Sequence, residues 1–340
     1  MYTLASFFTG CGGGDIGLKG GFSFLNKNYA SLPFKLVYAN EIDAKISSIF
    51  DENFSVKADV KDIREVNDVP DHDVLVGGFP CVSFSIVAQN PKRLGIKNDV
   101  GKLFFEMCRI IKDKQPKAFI AENVKGIISA NKGEAFPLII EEFEKCGYNV
   151  SYKVLNAADF GVPQNRYRVI IVGIRKDLNT TYHFPLPTHS NDASSGLKPH
   201  VPLETVVFPE SEIEEKYYFS EKAVQGMLNA KKDMNKGRAQ DLEKPCNTVG
   251  AHLAKVSLNS TDPVLQINGR YRRFTPREVA RIQSFPESFK LVQPEGTQYR
   301  ALGNAIPPVL MWHVAKNLAE SLSKAECAKQ LNAHADHVLI

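Results

Sequence analysis

The chain has 340 residues, 43% of them hydrophobic and 24% charged, with a formal net charge of +4. Such a length suits about two domains, and such a composition suits a folded protein with a sizeable core, not a disordered one. No apolar run approaches the roughly 20 residues of a membrane helix, and the opening residues read as a strand instead of a signal peptide.

Short apolar runs at 3–8, 36–40, 74–77, 118–122 and 169–174 have the texture of strands covered on both faces. Between them, 44–54, 103–114 and 135–146 carry the spacing of amphipathic helices. Strand–helix alternation predicts an α/β, doubly wound, Rossmann-like domain. Residues 55–60 read as a further β-like run that ends near Asp59. The texture changes near His183, because five prolines fall within residues 183–209 and each removes a donor and fixes φ. From there to about residue 262 the periodicity is poor, which predicts a smaller, irregular second domain. Residues 306–322 regain a helical pattern, with Val309, Leu310, Val314, Leu318 and Leu322 on one face. The expected division is 1–186, 187–289, and a segment 290–340 that returns to the first domain.

Cysteines and charge narrow the setting. Cys11, Cys81, Cys108, Cys146, Cys246 and Cys327 contain no Cys-x-x-Cys pair, so their spacing offers neither a zinc cage nor a disulfide framework. A reducing, cytoplasmic compartment and no metal are expected. Residues 204–221 hold six Glu against one Lys, whereas 222–290 hold thirteen Lys/Arg against six Asp/Glu. The basic stretch, with Arg270, Arg272, Arg273, Arg277 and Arg281, is suited to phosphates; a solvated charged surface is the plainer alternative.

Chemistry concentrates at strand ends. The first strand runs into Phe8-Thr9-Gly10-Cys11-Gly12-Gly13-Gly14-Asp15, where glycines let the backbone turn tightly and approach a ligand. A plain strand–helix turn and a dinucleotide loop are the other readings of this segment. Glu41 follows the second strand, where a carboxylate can accept from ribose hydroxyls, and Asp59 closes the next run. Gly77-Gly78-Phe79-Pro80-Cys81 places a thiol in a loop framed by Gly and Pro, although a free cysteine is by default a small buried hydrophobe. Glu122-Asn123-Val124 ends another strand, and Gln164-x-Arg166-x-Arg168 alternates polar side chains on an extended chain.

In this order the motifs resemble the DNA (cytosine-5) methyltransferase family, of the prokaryotic restriction-modification type, over nearly the whole chain. Arg273-x-Thr275-x-x-Glu278-x-x-Arg281-x-Gln283-x-Phe285-Pro286 and Gly303-Asn304-Ala305-Ile306-Pro307 extend the likeness toward the C-terminus. Asn247-Thr248-Val249 resembles the family's short Thr-Val signature. The resemblance implies S-adenosyl-L-methionine as cofactor, bound through Phe8, Gly10, Gly12, Gly13, Glu41, Asp59, Pro80 and Asn304. It implies catalysis by Cys81, Glu122, Arg166 and Arg168 on a cytosine flipped out of duplex DNA. Cys81 then attacks C6, Glu122 holds N3 and the exocyclic amine, Arg168 supports both, and Arg166 lies near the catalytic loop. The middle domain becomes a target-recognition region, with Ser85, Thr248, Arg270 and Arg272 as DNA contacts. A monomer and a companion restriction endonuclease acting on the same site are further expectations.

Thiolate suits the task because C5 of cytosine is a poor nucleophile until C6 is attacked covalently. Two departures from the family stand out: Val82 replaces the usual Gln, and Cys11 and Gly14 occupy places where apolar residues are common. A tRNA cytosine methyltransferase on the same scaffold and a non-catalytic DNA-binding subunit are the competing readings. The first lacks its Cys-Phe-Thr stretch here, and the second has no use for a nucleophile.

Overall fold

A computed structural model describes residues 1–80, 102–229, 238–254 and 262–338, the side chains of the last helix up to residue 331. The first half alternates β1 (Tyr2–Phe7), α1 (Gly13–Lys19), β2 (Phe34–Asn40), α2 (Ala44–Asn53), β3 (Val74–Gly77), α3 (Lys102–Lys114), β4 (Ala118–Val124), α4 (Ala135–Lys145), β5 (Tyr148–Asn156) and β6 (Tyr167–Arg175). The six strands form one sheet in the order β2-β1-β3-β4-β6-β5. The first four are parallel, and β6 runs antiparallel between β4 and β5.

Side chains alternate across each strand, so each strand feeds two cores. Leu4, Val74, Val76, Ile120, Ile170 and Val172 lie in one buried cluster with Leu18 of α1 and Ile46 and Ile49 of α2. Ala5, Phe7, Leu75, Phe119, Ala121 and Ile171 lie in the other, against Met107 and Ile111 of α3 and Ile139 and Phe143 of α4. Helices on both faces make the expected doubly wound fold.

The expected strands and helices appear within two residues of their predicted ends at most places. Two expectations fail. Residues 55–60 form no strand: Asp59 makes only an isolated bridge to Asn40. The nine-residue β5 was not foreseen. Its sequence YNVSYKVLN mixes polar and apolar side chains because it is an edge strand, with Tyr152 and Lys153 exposed.

The second half contains α5 (Glu221–Asn229), α6 (Pro276–Ile282), α7 (Glu295–Asn304) and α8 (Pro308–Val338), joined by short turns and two- or three-residue strands. Among the described residues no helix is long and apolar enough to cross a membrane. Val309, Leu310, Val314, Leu318 and Leu322 of α8 bury against the first face of the sheet. Leu203, Val206, Val249, Leu265 and Phe274 join that same cluster, and Cys246–Asn247 pairs in parallel with Gln164–Asn165.

Opposite charges in this half find each other. Thr275 and Glu278 form a reciprocal capping box with Pro276 at the first helical position, which starts α6. The Glu278 carboxylate, wholly buried, also takes Arg272 Nη1 and Nη2 at 2.9 Å each, while Arg272 Nε donates to Glu210 Oε1 at 2.8 Å. The side chain of Arg272 is 0% exposed. The expectation that Arg272 reaches a DNA phosphate is therefore corrected: its guanidinium is spent on two carboxylates inside the protein, where no phosphate can approach it. Arg270, by contrast, stays exposed at the surface, where it pairs with Glu215 and covers the Tyr218 ring at 3.6 Å. Arg281 pairs with Glu287. Among the described residues of the basic stretch, Arg270, Arg272 and Arg281 thus face carboxylates of the chain itself.

Candidate active site

The chain leaves β1 for β2 on one side and returns to β3 on the other, so the loops at their C-terminal ends diverge. In open α/β sheets ligands bind in that crevice. Here it is a cavity of about 590 Å³, within the usual range for small-molecule sites. Phe8, Gly10, Gly13, Glu41, Pro80 and Asn304, all expected at the cofactor, line it.

The loop after β1 is shaped by unusual backbone. Phe8 has φ of +52°, and Gly10 and Gly12 have φ of +57° and +88°, a region that glycine enters without the steric cost of a Cβ. At Gly13 the need is for space: a Cβ would lie 2.5 Å from the Ile306 carbonyl oxygen. The glycine therefore lets the C-terminal motif close over the loop. Gly12 is not among the lining residues; it turns the chain beneath Phe50 and Phe54. Cys11 is buried in the core, and burial pushes its thiol up to about 12, so it acts as a small hydrophobe.

Glu41 is locked by main-chain donors. Its Oε2 accepts from Gly10 N at 2.9 Å and its Oε1 from Asp43 N at 3.0 Å. Burial raises its pKa, and these bonds oppose the rise. Asp43 caps α2 through Lys45 N and Ile46 N and pairs with Arg300 of α7 at 2.7 Å.

Asp59, also expected at the cofactor, stands directly beside the lining residues Asn40 and Lys61. Its carboxylate accepts from Tyr38 Oη at 3.0 Å and faces Lys61 at 3.4 Å, while its backbone is held by Asn40. Asp62 lines the cavity as well, paired with Arg64 and capping the turn Ile63–Glu65. Asp15, at the first turn of α1, lines it too. Both lie close to residues singled out in the sequence; for Asp15 the available signal was an acidic residue directly after the glycine loop.

Glu122 lines the same cavity. It continues the row Ala118, Ile120 on β4, and Arg168 continues the row Ile170, Val172 on β6, so both emerge on one face. The antiparallel register sets Val124 opposite Arg168, and Arg168 Nε meets Glu122 Oε1 at 2.7 Å. Between them in sequence, Asn123 turns to the other face and donates to Phe79 O at 2.9 Å, which pins the turn Gly78-Phe79-Pro80 beside the carboxylate. Cys81 follows directly; Cys81, Val82 and Ser85 lie outside the described residues.

Arg166 is 1% exposed and donates to Val249 O at 3.0 Å and Gly303 O at 2.8 Å. Burial pushes its guanidinium well below the ordinary arginine range, Arg168 adds to this, and Glu122 opposes it. Both of these bonds go to backbone, so it ties the Thr-Val and Gly-Asn motifs to the strand end next to the Glu122–Arg168 pair. Gln164 completes the knot: its Oε1 accepts from Val249 N at 2.9 Å and its Nε2 donates to Gln283 Oε1 at 2.8 Å. Thr248, expected at DNA, is exposed, and its hydroxyl donates to Asn165 O at 2.7 Å.

A family model described as C-5 cytosine-specific DNA methylase matches residues 2–320. The type II methyltransferase M.FnuDI of Fusobacterium nucleatum is 35% identical, covering 96% of this chain and 97% of that protein. The type II methyltransferase M.Bsp6I of Bacillus sp. (strain RFL6) is 31% identical, covering 95% and 100%. Among solved structures, S. pombe Dnmt2 methyltransferase superposes with a TM-score of 0.70 at 18% identity, covering 95% of this chain and 99% of that one. At that identity the likeness speaks for the fold alone.

Proposed function

The chain belongs to the C-5 cytosine-specific DNA methylase family, and from that premise we propose that it transfers a methyl group from S-adenosyl-L-methionine to C5 of a cytosine flipped out of duplex DNA. We place it as the modification enzyme of a cytoplasmic restriction-modification pair, working as a monomer beside an endonuclease of the same specificity. One observation carries the reading: the Glu122–Arg168 pair stands at the same cavity as the glycine loop and Glu41, beside the Phe79–Pro80 turn that leads into Cys81.

The residues present fit the cofactor. Glycines give close main-chain approach, Glu41 offers a fixed carboxylate to a ribose diol, Phe8 offers a ring to a base, and buried Asp15 Oδ1 has no protein donor. When bound, the cofactor supplies an electrophilic methyl group. Cys81, as thiolate, adds to C6 of the cytosine, which makes C5 nucleophilic. Glu122, held by Arg168, hydrogen-bonds N3 and the exocyclic amine and supports protonation as the ring gains charge. After methylation, loss of the C5 proton expels the Cys81 thiolate. Thr248 sits where an exposed contact with DNA is available, and Ser85 is retained as a contact on resemblance alone.

The test combines bisulfite sequencing of plasmid DNA from cells that express the protein with trapping on duplexes carrying 5-fluorocytosine. Fluorine blocks the final elimination, so wild-type protein should remain covalently attached, and Cys81→Ser should neither trap nor methylate. Normal methylation by Cys81→Ser would reject the mechanism. Label transfer from the methyl-labelled cofactor to tRNA but not to duplex DNA would reject the substrate.

A further inference from the structure

The carboxylates that line the cavity are Asp15, Glu41, Asp62 and Glu122, among the described residues. Three have positions that are already answered. Glu41 takes two main-chain N–H groups, Asp62 takes Arg64, and Glu122 takes Arg168. Asp15 differs. It is 4% exposed; its Oδ2 accepts from Thr9 Oγ1 at 2.6 Å, and Thr9 Oγ1 is in turn met by Ser6 Oγ at 3.2 Å. Its Oδ1 is buried with no hydrogen-bond partner.

An ionised carboxylate with one oxygen unanswered in a buried place is costly, and the cost is removed by a donor that carries positive charge. The Ser6–Thr9–Asp15 chain fixes the carboxylate from one side and leaves the free oxygen as its only unfilled position. S-Adenosylmethionine brings one group with N–H donors and a positive charge, the α-ammonium of its methionine part. Its other cation, the sulfonium, has no N–H to give.

We propose that Asp15 is the residue that receives the α-ammonium group of the cofactor, Oδ1 accepting one of its N–H bonds. This rests on reading the cavity as the S-adenosylmethionine site. Asp15 is then a residue of the binding step: it selects a cofactor with a free amino group and orients the methionine arm. Its ionisation is coupled to binding, because burial raises its pKa in the free protein and the ammonium favours the charged form.

Calorimetry on the full chain with three ligands tests this. The ligands are S-adenosylmethionine, S-adenosylhomocysteine, and the analogue of S-adenosylmethionine in which hydrogen replaces the α-amino group. Charge-assisted hydrogen bonds contribute about 1.5–3 kcal/mol, so wild-type protein should bind the deamino analogue roughly 10- to 100-fold more weakly than S-adenosylmethionine. Asp15→Asn keeps the shape and an acceptor for Thr9. It should lose a similar factor toward S-adenosylmethionine and S-adenosylhomocysteine alike, and almost nothing toward the deamino analogue. An equal loss toward all three ligands would make Asp15 structural and overturn the proposal. Loss toward S-adenosylmethionine but not S-adenosylhomocysteine would assign the sulfonium instead and overturn it as well. The deamino analogue binding wild-type protein as tightly as S-adenosylmethionine would overturn it with no variant needed. If wild-type protein binds none of the three, the cofactor reading itself fails, a separate outcome.

Discussion

Arg168 Nε lies 2.7 Å from Glu122 Oε1 across the junction where the parallel half of the sheet meets its antiparallel strand. Both side chains are largely shielded, 11% and 12% exposed, and the guanidinium is anchored a second time through Nη1 to its neighbour's carbonyl, Tyr167 O, at 2.9 Å. A carboxylate held in this way has a fixed direction, which a group meant to hold the edge of a base requires.

Glu122→Gln should therefore lower the methylation rate about 10²–10⁴-fold, the usual range for losing acid–base support. S-Adenosylmethionine affinity should change little, since the bonds of Glu41 and Asp15 are untouched. Single-turnover methylation alongside calorimetry checks the split. A rate within twofold of wild type would remove Glu122 from the chemistry.

Asp15 makes stability depend on pH in a definite direction. Its folded pKa is raised by burial, so protonation favours the folded state below the ordinary carboxylate value of about 3.9, and this contribution is lost as pH rises through the folded value. Asp15→Asn removes the charge. Without cofactor, the variant should gain stability relative to wild type as pH goes from about 4 to neutral, and saturating cofactor should shrink the gain. Thermal melts at both pH values, with and without S-adenosylmethionine, measure it; a difference independent of pH would show that Asp15 is not the group.

Arg272 should behave as a structural residue. Breaking a buried ion pair by removing one partner costs about 3–5 kcal/mol, so Glu278→Gln and Arg272→Met should each lower the urea midpoint strongly. For protein that remains folded, the slope of log K for DNA against log salt should be unchanged, whereas loss of a phosphate contact reduces it by about 1. A reduced slope with normal stability would return Arg272 to the DNA surface.

Two adjacent glycines give a sharp contrast. A Cβ at Gly13 would lie 2.5 Å from a backbone oxygen, whereas one at Gly14 would meet Ile306 Cδ1 at 3.5 Å, ordinary contact. Gly13→Ala should weaken cofactor binding at least tenfold by about the 1.4 kcal/mol rule and lower the melting temperature; Gly14→Ala should do neither. Equal behaviour of the two variants would show that the loop does not depend on close approach to Ile306.

The sequence by itself determined the alternation of strands and helices, because apolar period and β-branched runs are local properties that tertiary contacts reinforced here. It also determined which strand ends carry chemistry: glycines after β1, Glu41 after β2, Pro80 after β3 and Glu122 on β4 are readable as residue types at strand ends, and each lines the cavity. Packing decided the rest. That Arg168 meets Glu122 depends on β6 being inserted antiparallel between β4 and β5 with Val124 opposite Arg168, and strand order is a non-local property that no window of sequence contains. Asp59 and Asp62 are equally acidic and three residues apart, and packing alone gives the first a bond from Tyr38 Oη and sets the second, as the cap of a turn, in the wall of the crevice. Arg272 read as a free cation because its charge was visible and Glu210 and Glu278 were remote or unmarked as partners. Folding brought all three into one buried pair of contacts, since a charge that leaves water must take its counter-charge with it.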